Sequence, residues 1–151
     1  MVSNLSLNQF APNTPVDGMY VYMANEGQLH NVIVGADQEL KSGDVVKLDA
    51  ASTNVHAPVV LAAEAGDDAF GVVSYTPIQA KHVAGHRVGL AREHDVIWKT
   101  ASGAVAVGDK VAFDSEFKVA TASSGAYIGI ALTPASEADE LIQVELKFGS
   151  V

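Results

Sequence analysis

Three histidines and two acidic residues lie close together in the sequence and have side chains that can bind a metal ion. His82, His86 and His94 fall within thirteen residues, next to Glu93 and Asp95. His82 and His86 have the i,i+4 spacing of zinc ligands on a helix. Glycines interrupt this segment, however, and its apolar residues alternate as they do in strands. Residues four apart on a strand are roughly 13 Å apart, too far to bind one ion. The sequence therefore predicts no metal site here, and the hypothesis of a metal-dependent enzyme rests on these histidines alone.

The other motifs that could carry chemistry are incomplete. Residues 103–110 approach the phosphate-binding P-loop pattern, but Asp109 would repel phosphate, and Val111 stands where serine or threonine is needed. Asp67 and Asp68 could offer oxygen ligands to calcium, yet the twelve-residue calcium-loop pattern is missing. There is no Gly-x-Ser-x-Gly motif and no cysteine. We therefore predict no catalytic, cofactor-binding or metal-binding residues, and a protein that is not an enzyme.

Length and charge narrow the class of protein further. The 151 residues correspond to one domain, and the net charge is −9. Nucleic acids are bound by clustered basic residues, but this chain has only two arginines and seven scattered lysines. No stretch approaches the roughly 20 apolar residues of a membrane span. We expect a soluble protein made in the cytoplasm that binds neither nucleic acid nor membranes.

The elements that must position these residues are predicted to be strands. Short apolar, β-branched runs recur between glycine-rich turns, which is typical of a β-barrel or sandwich. On one of them Trp98 alternates with Val96, and we expect it in the core or in an interface. One short helix is predicted after Pro134, over residues 135–140. The predicted strands cover residues 19–23, 29–34, 45–48, 58–63, 70–75, 87–91, 96–99, 110–113, 127–132 and 141–148.

Two pairs of elements are repeated about 60 residues apart. Residues 40–50 match residues 105–115, each with a Gly-Asp turn, a short strand, and an aspartate followed by a small residue. Residues 70–77 then match 128–134, each with a glycine inside an apolar run that ends in Thr-Pro. Glycine within a strand often marks a bulge or a tight bend, as closure of a barrel requires. We predict an all-β protein, a single compact β-barrel with internally repeated elements over residues 19–151.

The first 18 residues differ from the rest and are predicted to form an extended N-terminal arm. Residues 1–16 carry no charge, and prolines restrict the residues before them to extended geometry. A frayed terminus is the alternative. A solvated tail would have little use for large apolar residues, so we favour an arm that docks on a partner. The residues expected to make that contact are Leu5, Leu7, Phe10, Pro12 and Pro15.

The order and spacing of the repeated motifs resemble those of the small phage head decoration proteins of the capsid cement type. The resemblance is carried by residues 41–46, 70–73, 100–111 and 129–132, and it extends over residues 32–148. It implies a compact β-barrel that binds the outer surface of the expanded phage capsid and bridges neighbouring capsomers. The implied partners are the major capsid protein and further copies of the chain, as a homotrimer or alternatively a dimer. The implied location is the capsid exterior of the virion. In such families the N-terminal segment often reaches across the shell, a role that residues 1–16 would fit.

A second class of function stays open at this point. A carbohydrate- or receptor-binding β module on the virion surface would need aromatic platforms for its ligand. Tyr20 and Tyr22 on one predicted strand are the support that the sequence offers for it.

Overall fold

The computed structural model describes residues 14–24, 32–53, 57–77 and 79–151, and these contain strands, turns and bends but no helix. Among them there is accordingly no helix long and apolar enough to cross a membrane. Fourteen strands are present: β1 Tyr20–Tyr22, β2 Val32–Val34, β3 Glu39–Leu40, β4 Val45–Leu48, β5 Val59–Ala62, β6 Gly71–Val73, β7 His82–Val83, β8 Arg87–Val88, β9 Leu90–Ala91, β10 Val96–Thr100, β11 Lys110–Phe113, β12 Val119–Thr121, β13 Ala126–Ala131 and β14 Leu141–Ser150.

The strands form two six-stranded sheets and one small pair. Sheet A has the order β1-β10-β14-β13-β11-β12, sheet B the order β8-β2-β5-β4-β6-β9, and β3 pairs with β7. Only Gly89 separates the two edge strands of sheet B along the chain, and its carbonyl accepts the backbone N–H of Ser74, so this sheet is nearly closed. In sheet A a bridge between Ala101 and Val119 links the end of β10 to β12. The predicted all-β, barrel-like fold is confirmed.

The core follows from the two-residue period of the strands. In β14 the side chains alternate between half-buried and buried over the first six residues, so that Ile142, Val144 and Leu146 point inward. The buried apolar residues form two clusters. One lies mostly under sheet A and takes in Val45 and Val72 from sheet B. The other lies within sheet B, around Val34, Val46 and Val60 among others.

The two repeated halves have the same hydrogen bonds. In the first, Gly43 N–H donates to Val73 and Val73 N–H donates to Asp44, at 2.8 and 2.9 Å. In the second, Gly108 N–H donates to Ala131 and Ala131 N–H donates to Asp109, again at 2.8 and 2.9 Å. The strand pairing agrees as well, because β4 pairs with β6 in the same antiparallel register as β11 pairs with β13. The repeat read from the sequence is thus a repeat of structure, with one copy in each sheet.

The short helix predicted over residues 135–140 is wrong. Ala135 forms a bridge with Val105, and Asp139 has a φ of 69°, which a right-handed helix does not allow. The carboxylate of Glu140 accepts both the backbone N–H and the hydroxyl of Ser136, so the segment closes as a turn. The structure also divides the predicted strand 87–91 into β8 and β9, and it adds β3, β7 and β12, which the sequence pattern did not indicate.

Candidate functional site

The base of the predicted arm is tied to the body of the protein at Asp17. Its carboxylate lies 3.0 and 3.1 Å from the Nζ atom of Lys99, and it also accepts the backbone N–H of Thr100 at 3.1 Å. One residue further on, Gly18 donates to the carbonyl of Trp98 in sheet A, and its own carbonyl accepts the N–H of Tyr75 next to sheet B. Asp17 and Gly18 are therefore held by residues of both sheets.

Lys99 is the buried centre of this arrangement. Its side chain has an exposure of 0%, and it projects from the same face of β10 as Ile97, towards the core. Besides Asp17, its ammonium group donates to the carbonyl of Gly43 in the turn before β4, at 2.7 Å. Burial lowers the pKa of Lys99 below its ordinary value, against the opposite effect of Asp17, Asp44 and the more distant Asp114. This lysine thus connects the arm, sheet A and sheet B.

Asp44 is a second buried carboxyl at the same place. It has an exposure of 5%, and its carboxylate accepts the backbone N–H of Lys41 at 3.0 Å. Burial raises the pKa of Asp44, while that hydrogen bond, the charge of Lys41 and the charge of Lys99 act in the opposite direction. Two carboxyl groups and one amine, all three partly or fully removed from water, therefore share one location.

Two glycines allow the turn before β4 and the Asp17-Gly18 segment to approach each other closely. Gly18 and Gly43 have φ values of 86° and 88°, which side-chain-bearing residues rarely adopt. A Cβ on Gly18 would lie 2.4 Å from the backbone nitrogen of Gly43, and a Cβ on Gly43 would lie 2.0 Å from Oδ2 of Asp17. A side chain at Gly18 would therefore push against backbone, whereas a side chain at Gly43 would displace the carboxylate of Asp17 from the site.

The three histidines are not brought together. His82 is buried and paired with Leu40 between β7 and β3, and its Nδ1 has no hydrogen-bond partner in the described part of the chain. Burial, followed by the charge of His86, lowers the pKa of His82. His86 is exposed, with Nδ1 3.2 Å from the amide nitrogen of Gln79, and His94 sits in the turn before β10. Residues 14–24, 32–53, 57–77 and 79–151 contain no group of three potential ligands that could hold a metal ion.

The remaining sequence candidates have local roles in turns. Asp109 in the P-loop-like segment accepts the N–H of Ala106 and the hydroxyl of Thr121, and β11 follows it rather than a helix. Asp67 pairs with Lys47 at 2.8 Å and accepts the N–H of Glu64. These carboxylates are thus occupied in closing turns.

The predicted contact residues of the arm lie mainly outside the described part of the chain. Leu5, Leu7, Phe10 and Pro12 belong to residues 1–13, and only Pro15 is described, where it is half-buried. The arm boundary and its contact residues therefore stay predictions. Next to the arm base, β1 is the edge strand of sheet A, and it exposes Val21 and Tyr22 by 43% and 62%. Trp98 is half-buried on the face of β10 opposite to the core.

Comparison with known proteins identifies the family of this chain. The model of the phage cement protein family matches residues 24–146. The chain therefore belongs to the phage cement protein family, and it is a structural protein associated with the phage capsid. The match begins after β1, so that the arm and the first strand lie outside it.

A solved structure supports the fold. The head fiber gp8.5 N base in bacteriophage phi29 is similar to this chain, with a TM-score of 0.54 and 13% sequence identity. The similarity covers 76% of this chain and 90% of that chain. At this identity it is evidence for the fold alone. No curated protein matches the sequence.

The ionic cluster of Asp17, Lys99 and Asp44 was not found by sequence reasoning. A signal was present, because strand alternation places Lys99 on the same face as the apolar Ile97. Lysine is almost never fully buried without a partner. A partner 82 residues away in the sequence cannot be read from local pattern.

Proposed function

We propose that this protein binds the outer surface of the expanded phage capsid and stabilises it by bridging neighbouring capsomers, with residues 1–16 as the segment that makes the contact. The observation that supports this most is the combination of a cement-protein body with an arm base held at a fixed point by Asp17. The partners we propose are the major capsid protein and further copies of the chain in a homotrimer.

The charge and length of the arm support the proposal. Residues 1–16 carry no charge in a protein with a net charge of −9, so the arm would be free of the repulsion that the acidic body meets at any acidic surface. The 13 residues that precede Thr14 can span at most about 45 Å when extended. An extended segment can bind by adding to the edge of a sheet, where main-chain hydrogen bonds give affinity and side-chain pockets give specificity.

Because one shell would carry many copies of the protein, each single contact with the capsid can be weak. When each copy is linked to its neighbours, a second contact becomes intramolecular, and the combined affinity can exceed that of either contact by about 10² to 10⁴. A cement protein therefore needs an extended contact and a stable body more than it needs a deep binding site.

Co-sedimentation with capsids tests the proposal. Purified full-length protein and a variant lacking residues 1–16 are incubated with undecorated capsids of the phage, in unexpanded and expanded forms. The deletion ends before Asp17, so that the contacts of Asp17 and Gly18 with the body are retained. We expect saturable binding of the full-length protein to expanded capsids, and loss of that binding without the arm.

Two controls make this result specific. A full-length L7S/F10S variant keeps the length of the arm and is expected to bind expanded capsids more weakly. Equal unfolding free energies of the full-length and truncated proteins show that the body is intact. If the full-length protein stays in the supernatant with both capsid forms, the proposal is wrong. If decorated capsids are no more resistant to heat than bare ones, the bridging role is wrong.

A further inference from the structure

We propose that Lys99 and Asp17 condense into an intramolecular isopeptide bond that fixes the base of the arm covalently to strand β10. An amine and a carboxylic acid form an amide with release of one water molecule, and no oxidant or other reactant is needed. The proposal concerns the body of the protein, and its test is independent of capsid binding.

The geometry places the reacting groups in contact. The Nζ atom of Lys99 lies 3.0 Å from one oxygen of Asp17 and 3.1 Å from the other, so the carboxyl carbon lies directly behind the two oxygens that it contacts. Rotation about the Cβ–Cγ bond of Asp17 would turn the face of this carbon towards the amine, at the separation of about 3 to 3.5 Å that a near-attack conformation requires. The lysine side chain is fully buried, and its neighbour on the adjacent strand is the buried Ile142. A lysine removed from water in this way is more easily deprotonated, and its neutral amine is the nucleophile.

The step balances within this cluster. A proton passes from Lys99 to Asp17 along their hydrogen bond, which gives a neutral amine and a neutral carboxylic acid. The nitrogen lone pair then forms the bond to Cγ of Asp17, and the negative charge that develops on Oδ1 is stabilised by the N–H of Thr100. One amine proton is transferred to Oδ2, the Cγ–Oδ2 bond breaks, and water leaves. The exposure of Asp17, 30%, gives that water a path to solvent.

The product would keep the hydrogen bonds that the ion pair has. The amide N–H could still donate to the carbonyl of Gly43, and the amide oxygen could still accept the N–H of Thr100. At the same time two charges in and next to the core would be replaced by one neutral group. Because burying charges is costly even when they are paired, condensation removes an unfavourable contribution to the folded state.

The intact mass of the purified full-length protein tests the proposal. We expect a mass lower by one water molecule than that calculated from the sequence. Tryptic digestion should give one branched peptide that joins the segment containing Asp17 to the segment containing Lys99, with no cleavage after Lys99. A mass equal to that of the sequence would overturn the proposal, as would a map in which both segments are separate.

Variants distinguish the bond from other losses of water. K99R keeps the positive charge but is expected to show the full mass, and D17N should lose one ammonia molecule instead of one water. The Asp17-Gly18 sequence could also lose water by forming a succinimide, which would persist in K99R and be reversed by mild alkali. That outcome would overturn the proposal.

A second ion pair of the same length serves as an internal control. Nζ of Lys118 lies 2.9 Å from Asp139, but the side chains are exposed by 33% and 71%. We expect this pair to remain unlinked in the peptide map, and its condensation would refute the role of burial.

Discussion

The repeated turns allow the packing of the arm base to be measured with a matched pair of variants. Gly43 and Gly108 occupy the same position of the two repeats, with φ values of 88° and 89°. A Cβ on Gly43 would collide with the carboxylate of Asp17, whereas a Cβ on Gly108 has no atom within 4 Å. Alanine at the two positions therefore meets the same backbone strain, and only at Gly43 does it also meet Asp17.

The expected losses of stability follow from these contacts. Left-handed backbone costs an alanine about 1 to 2 kcal/mol, and the reduced freedom of the unfolded chain offsets about 0.4 to 1 kcal/mol of that. We therefore expect Gly108→Ala to lower the unfolding free energy by about 1 kcal/mol. In protein whose Lys99 and Asp17 are not covalently joined, Gly43→Ala must also displace Asp17 from Lys99 and Thr100, and hydrogen bonds to charged groups contribute about 1.5 to 3 kcal/mol. Partial hydration of the displaced carboxylate moderates this, so we expect a total of about 3 to 4 kcal/mol.

Equilibrium unfolding in urea measures both losses of unfolding free energy. The dependence of that free energy on urea concentration, the m-value, is fitted as one shared value for all variants. For a chain of this size each kcal/mol corresponds to roughly 2 to 4 °C in Tm, so Gly43→Ala should melt about 6 to 16 °C lower than the parent protein. Repeating both substitutions in an Asp17→Ala background completes a double-mutant cycle. There the cost of Gly43→Ala should fall to that of Gly108→Ala. Equal losses at the two glycines in the parent protein, or an undiminished cost of Gly43→Ala in the Asp17→Ala background, would refute the packing argument.

Three further predictions concern the core, the surface and pH. Ile142 is fully buried and Leu141 half-buried on the other face of β14, so Ile142→Ala should cost about 3 to 4 kcal/mol in urea unfolding and Leu141→Ala clearly less; equal costs would contradict the assigned faces. Replacing Lys47 by Gln should change stability little and abolish any salt dependence of its ion pair with Asp67, as unfolding at low and high salt will show. The pKa of His82 is lowered in the folded state, so the unfolded chain binds more protons and stability should fall as the pH drops below about 6.5. His82→Leu should weaken this fall more than His86→Gln does, because burial is the larger cause of the lowered pKa and the charge of His86 the smaller one; the same slope in both variants would exclude His82 as its origin.

Strands bounded by Gly-Asp turns were predictable because the turn itself has a physical signature. Both β4 and β11 begin directly after such a turn, with the bounds expected from the sequence. In each turn the glycine takes a positive φ, and the aspartate carboxylate accepts the N–H of the residue three positions earlier, Lys41 or Ala106. The local sequence alone is enough to define such a turn.

Other features depend on contacts that no local pattern contains. Strands β3 and β7 have two residues each, too few to show an alternation, and they exist because they pair with one another. The same turn that Gly-Asp predicts also occurs at residues 92–95, where His94 takes the positive φ of 75° in place of glycine. A histidine there gives no turn signal, and the sequence offered it, with Glu93 and Asp95, only as part of a metal site that was not predicted.

The location of the arm base explains how a short segment could transmit force to the whole body. An arm held only as an edge strand could peel away one hydrogen bond at a time, since each bond is loaded after the previous one breaks. Asp17 instead contacts Lys99, whose ammonium group also holds Gly43, while the adjacent Gly18 is bonded to residues of both sheets. A pull on the segment before Asp17 would therefore be shared by several bonds loaded at the same time, in two sheets with separate buried clusters. An attachment of this kind suits a protein whose proposed role is to hold capsomers together, and a covalent Lys99–Asp17 bond would make it permanent.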